Sequence, residues 1–383
     1  MARDPRATLA DWDLAARLAW SVASGPLAPR QPADRRTVAA LRRDLDATVA
    51  TADGLARRAA GLGEHLPPAR AHVMGRRAWI RANLDALAEL TDPLADKLLR
   101  RRARGQRALA RQGMALQIGA VFGYLSTRVL GQYEVFGPGW RDGSPGDGGG
   151  GRLILVGPNL LELEASHLPG SGVSVAEFRL GVCLHEIAHR LQFEAVPWAR
   201  PLLRGLLEEY LDDVDFDPER LREIAGRLPE LLRDPARLLE PRGLLELLLT
   251  QRQVEVIGRA QALMSLFEGH GNVVMDWGAE LAATEGRDAP DPARVREVLN
   301  RRRGQALNQV VQKAIGLSMK AEQYRAGEAF ILTVAERHGR DVFNRVWASS
   351  ANVPTPDEID DPDAWAARVV AAPAAGTGGA GTA

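Results

Sequence analysis

Residues 182–191 read Val182-Cys183-Leu184-His185-Glu186-Ile187-Ala188-His189-Arg190-Leu191. The His-Glu-x-x-His pattern spaces two imidazoles by one helical turn, so His185 and His189 project from one face and can bind the same metal ion. Glu186 follows the first histidine directly. That offset sets its carboxylate beside the water a metal would activate rather than on the ion, where a general base for hydrolysis must stand. The bare pattern also arises by chance on solvated helices. Here Val182, Cys183, Leu184, Ile187, Ala188 and Leu191 surround the polar trio and imply a mostly buried helix. Three ionisable groups on such a helix are costly unless they find a partner, and a divalent cation is the obvious one.

A catalytic zinc site needs three protein ligands and one open position. Candidates for the third ligand cluster downstream, in Met264-Ser265-Leu266-Phe267-Glu268-Gly269-His270-Gly271-Asn272. Glu268 and Asn272 are four apart, so on a helix one could bind metal while the other orients a histidine. His270 competes with Glu268 as ligand. Two residues on, it lies about 200° around a helix, so both reach one ion only if Gly269 and Gly271 break that helix.

Around these motifs the chain reads as helix. Apolar residues recur at three- and four-residue spacing from Asp11 to about Gly63 (Leu14, Leu18; Leu41, Leu45), and helices are expected over 77–111 and 112–130. A glycine-rich segment, 137–151, is expected to be a flexible loop. Arg152-Leu153-Ile154-Leu155-Val156 follows as the best strand candidate; Gly157-Pro158-Asn159 ends it, and 160–163 is a possible second extended piece. Helical patterns return after Ser174 and persist to about Trp347. Residues 371–383 are Ala, Gly, Thr and Pro only, an expected disordered tail. The fold class is therefore mainly α with a small β element. One domain is expected over 1–370, with a helical part at about 11–130 and a catalytic part at about 152–350.

The 383 residues are enough for a substantial core, and 45% hydrophobic with 26% charged residues is a globular composition. Lys plus Arg and Asp plus Glu number 49 each. That balance removes the electrostatic reason to expect nucleic acid or a membrane surface as partner. The single cysteine, Cys183, excludes an intramolecular disulfide and a multi-cysteine zinc site, and fits a cytoplasmic location. Asp4, Asp11 and Asp13 with no apolar core argue against a secretory signal. The uncharged run from Gly113 to Thr127 is too short for a membrane span. Cys183 is expected to be a buried, inert thiol, Trp198 a packing anchor, and the other histidines (His65, His72, His167, His338) surface residues.

His185-Glu186-Ile187-Ala188-His189-Arg190-Leu191-Gln192-Phe193-Glu194-Ala195-Val196-Pro197-Trp198, the Glu-Gly-His segment ending Val274-Met275-Asp276, and Gly316-Leu317-Ser318-Met319-Lys320 with Gln323-Tyr324 together resemble a known family. It is the zincin-like (type 2) zinc-dependent metallopeptidase or hydrolase family of actinobacteria and related bacteria, some of whose members are named for an association with deazaflavin-coenzyme biosynthesis. The likeness runs from about Asp11 to Trp365. It implies a zincin-like fold with the His-Glu-x-x-His helix packed under a short sheet, and Zn2+ held by His185, His189 and Glu268 with Glu186 as catalytic base. Arg190 departs from extended zinc-peptidase patterns, which have an uncharged residue there. Asn272, His270 and Tyr324 are the candidates for orienting a ligand or stabilising an oxyanion. The expected activity is hydrolysis of a peptide or small amide by zinc-activated water. The rival readings are a zinc-dependent amide or ester hydrolase acting on a metabolite, and a catalytically silent zinc-containing binding protein.

Overall fold

The computed structural model describes residues 8–25, 35–99, 104–136, 151–212, 251–303 and 320–371. The expected glycine-rich loop, apart from Gly151, and the expected tail from residue 372 onward lie outside them. The chain divides into two compact units, Met1–Ala195 with Val274–Ile315, and Val196–Val273 with Gly316–Ala383. As the sequence indicates, the described residues are mainly helical with one small sheet.

The first unit holds the sheet. Strand β1 (Ala71–Met74), β2 (Gly131–Glu134) and β3 (Arg152–Val156) are ordered β1-β3-β2. β1 runs parallel to β3, with Ala71 opposite Leu153, and β2 runs antiparallel, with Gly131 opposite Leu155 and Tyr133 opposite Leu153. Leu153, Ile154, Leu155 and Val156 are all buried. A continuous apolar run of this kind suits a strand covered on both faces. β1 and β2 were not legible in the same way. Ala-His-Val-Met and Gly-Gln-Tyr-Glu have neither an apolar run nor strong β propensity, and pairing with β3 is what makes them strands.

Alternation along β3 assigns its two faces. Ile154 and Val156 enter a core with Ala15, Ala19 and Ala23 of helix α1 (Trp12–Ser24), Trp79, Ile80 and Leu84 of α3 (Arg76–Leu99) and Ala115 of α4 (Arg104–Ser126). On that face Gln132 accepts from Trp79 Nε1 at 2.8 Å. The opposite face, with Gly131, Tyr133, Leu153 and Leu155, meets α6 (Val175–Glu194), along which α2 (Arg35–Ala60) also packs. The expected extended piece at 160–163 is instead part of a helix, α5 (Gly157–His167), that starts directly after β3. Pro158 sits in its first turn, where the missing N–H costs nothing. Asn159 then locks this junction, accepting from Arg76 Nε at 2.7 Å and donating to the carbonyls of Ser126 and Val129 at 2.8 and 2.6 Å.

α6 is buried on nearly all sides, as its apolar flanks require. The later part of helix α8 (Gln251–Thr284) crosses it where Gly278 faces Leu184, and α9 (Pro292–Arg303) reaches it where Val295 faces Gly181.

The second unit comprises α7 (Ala199–Asp212), the first part of α8, α10 (Lys320–His338), α11 (Arg340–Asn344), α12 (Pro356–Asp360) and α13 (Pro362–Ala371). Its core is aromatic. Trp365 is fully buried with its ring 5.3 Å from Phe330, and Trp198 stacks on Trp347 while donating from Nε1 to the Trp347 carbonyl at 2.9 Å. His338, expected to be a surface residue, meets Asp363 at 2.8 Å and helps hold α13 to α10. Among the described residues no helix is long and apolar enough to cross a membrane.

Candidate metal centre

α6 begins with a capping box. The Ser174 side chain accepts from the Glu177 amide at 3.1 Å, and the Glu177 carboxylate accepts from the Ser174 amide at 2.7 Å. Two of the helix's orphan donors are thereby satisfied, which fixes the start of the helix and hence its phase. Eleven residues after the cap, His185 and His189 share a half-buried stripe of an otherwise buried helix.

The imidazoles stand edge to face, with ring centroids 4.8 Å apart, and their Nε2 atoms approach to 3.2 Å. Two nitrogens bound to one tetrahedral zinc at 2.0–2.1 Å would be about 3.3 Å apart. The pair therefore has the spacing of one edge of a zinc coordination sphere. His189 Nδ1 donates to Gln192 Oε1 at 2.9 Å. A hydrogen bond on the far nitrogen leaves the Nε2 lone pair for a metal and fixes the ring. The sequence reading missed Gln192, although it lies three residues after His189 and so on the same face of the helix. That reading offered Asn272 for orienting a histidine. Asn272 Nδ2 donates to Glu328 Oε2 of α10 at 2.9 Å.

Glu186 is also half-buried, and its side chain lies directly against Gly131 of β2. Arg190, the misfit in the motif, is buried on the other side of the helix. It donates from Nη1 to Asp53 of α2 at 3.2 Å, from Nε to Glu194 at 2.9 Å and from Nη2 to the Pro67 carbonyl at 2.7 Å. Tyr133 of β2 joins this network by donating to Glu194 at 3.0 Å. Cys183 is buried, and desolvation together with the neighbouring Glu186 charge pushes its thiol up to about 12. That is the environment of an inert thiol rather than a nucleophile.

In the second unit, α8 continues unbroken through Gly269 and Gly271. Glu268 is half-buried, whereas His270 is fully buried, with its ring 4.7 Å from Trp347 and 5.8 Å from Phe343. The condition under which Glu268 and His270 could both reach one ion, a broken helix, is not met. Gly269 serves another end, since a Cβ there would stand 2.5 Å from the backbone of Gly327 on α10. Tyr324 belongs to α10, but its side chain and residues 304–319 lie outside the described residues.

His185 and His189, in the first unit, offer two imidazoles that could hold a metal ion, and Glu268, in the second unit, offers a carboxylate. Nitrogen and oxygen donors without thiolate suit catalytic zinc. The profile of a family described as zincin-like metallopeptidases matches residues 10–366. The chain is also similar to a presumed hydrolase with a novel fold from Chloroflexus aurantiacus, known from its crystal structure, at 29% identity and a TM-score of 0.65 over 95% of this chain and 100% of that one. No curated protein matches.

Proposed function

Because this chain belongs to the zincin-like metallopeptidase family, we propose that it is a zinc-dependent hydrolase that cleaves peptide bonds. The family and the similar crystal structure support a zinc hydrolase in general. The observation that carries the finer reading is the convergence of the His185 and His189 Nε2 atoms at 3.2 Å, with Glu186 on the same helix beside β2. His185 and His189 would hold the ion, with Glu268 as third donor. A bound zinc supplies Lewis acidity and brings water toward ionisation near neutral pH. Glu186 takes a proton from water as it attacks the carbonyl, then returns it to the leaving amine.

Both edges of β3 are taken, by β1 and β2, so an extended substrate cannot pair with that strand. β2 pairs with β3 alone among the described residues, so its outer backbone can hydrogen-bond an extended chain while Glu186 stands beside it.

The test is cleavage of a mixed peptide library by the zinc-loaded chain, read by mass spectrometry beside a panel of acylated small molecules. Peptide products are expected, with Glu186→Gln slowing their formation by about 10²-fold or more at unchanged zinc content. Cleavage confined to the small molecules would replace the peptide reading with that of a metabolite hydrolase. Glu186→Gln with full turnover would remove the general base.

A further inference from the structure

Gly131 is the first residue of β2. Glycine weakens strands, and its presence in one commonly marks a close approach. The approaching group here is Glu186. A Cβ built on Gly131 would lie 2.5 Å from Glu186 Cγ, 2.7 Å from Cδ and 2.8 Å from Oε1. Cγ is only two bonds from the helix backbone, so the overlap could not be relieved by swinging the carboxylate tip. It requires a different χ1 well, and a helix restricts which wells are open. Two residues along the same face of β2, Tyr133 is accommodated against Phe193 and Glu194 of the same helix. A side chain is therefore tolerated on this face, though not opposite Glu186.

We propose that Gly131 is a positioning residue for hydrolysis: its lack of a side chain sets the Glu186 carboxylate against the edge strand. The proposal rests on the reading of Glu186 as general base. An alanine at 131 turns that carboxylate aside, because the three atoms nearest its Cβ all belong to Glu186, and the metal-binding imidazoles should keep their place.

Gly131→Ala is compared with Glu186→Gln, and with the two combined, for zinc content and for turnover of a random fluorogenic peptide mixture. The expected result is full zinc in all three, an activity loss in Gly131→Ala within about tenfold of that in Glu186→Gln, and no further loss in the combined variant. A merely structural role would lower residual activity in both backgrounds alike. Stability is read separately by thermal unfolding. Gly131→Ala should lower the midpoint in the wild-type background and much less beside Glu186→Ala, where no Cγ remains to clash. If Gly131→Ala alone does not fold, Gly131→Ala/Glu186→Ala must fold and bind zinc, and its failure would overturn the proposal. Wild-type turnover by Gly131→Ala with Glu186→Gln inactive overturns the proposal and spares the general base. Full turnover by Glu186→Gln overturns the general base, and the positioning role falls with it.

Discussion

Arg190 looks out of place in a metal-binding motif and acquires a physical reason from its surroundings. With Asp53 and Arg57 it forms a buried charge network between α2 and α6, in which Arg57 donates to Asp53 at 2.9 Å and Asp53 also accepts from the Ala69 amide at 3.1 Å. Such networks are weak evidence for net stability, but deleting one partner strands a buried charge. Arg190→Met is expected to cost about 3 kcal/mol or more, measured by denaturant unfolding, because Glu194 and Asp53 lose their shared cation. Arg190→Met/Asp53→Asn should recover part of that loss. A cost under about 1 kcal/mol would show that water reaches these carboxylates. The sequence could not supply this account, since Asp53 lies 137 positions from Arg190 and nothing local signals the pairing. The His185, Glu186 and His189 trio was legible because helical geometry alone sets its relative placement.

At the scale of elements, the helices were easier to read than the sheet. α6 was marked by the helical pattern that returns after Ser174 and by apolar residues all round, and β3 by five residues free of turn signals. β1 and β2 have four residues each, and their state depends on a partner distant in sequence. Gly269 and Gly271 of α8 were considered as helix breakers, whereas the helix is unbroken and Gly269 packs closely against α10. A Cβ on Gly327 of α10 would fall 2.0 Å from the Ser265 carbonyl oxygen of α8. Backbone cannot yield as a side-chain tip can, so Gly327→Ala is expected to destabilise the second unit by about 1–3 kcal/mol or more. Thermal unfolding of that variant with a stability equal to wild type would mean that α8 and α10 cross less closely than described. The proposed third donor, Glu268, rides on the same stretch of α8, so the variant should also weaken zinc binding.

For the whole molecule, the family and the mainly helical fold were legible from motifs taken together, while the residues alone left the third donor open between Glu268 and His270. A spacing of one helical turn specifies two ligands; the proposed third lies some 80 residues later, and only helical phase separates Glu268 from His270. The unbroken α8 and the aromatic burial of His270 favour the carboxylate. The central claim is a hydrolytic zinc held by two imidazoles and one carboxylate. X-ray absorption at the zinc edge of the metal-loaded chain tests it most directly, together with zinc analysis of three variants. We predict about one zinc per chain, with two imidazole nitrogens and oxygen donors at about 2.0–2.2 Å. His185→Ala and Glu268→Ala should lose the metal, and His270→Ala should keep it. A spectrum with three imidazoles, or full zinc in His185→Ala, would contradict the account.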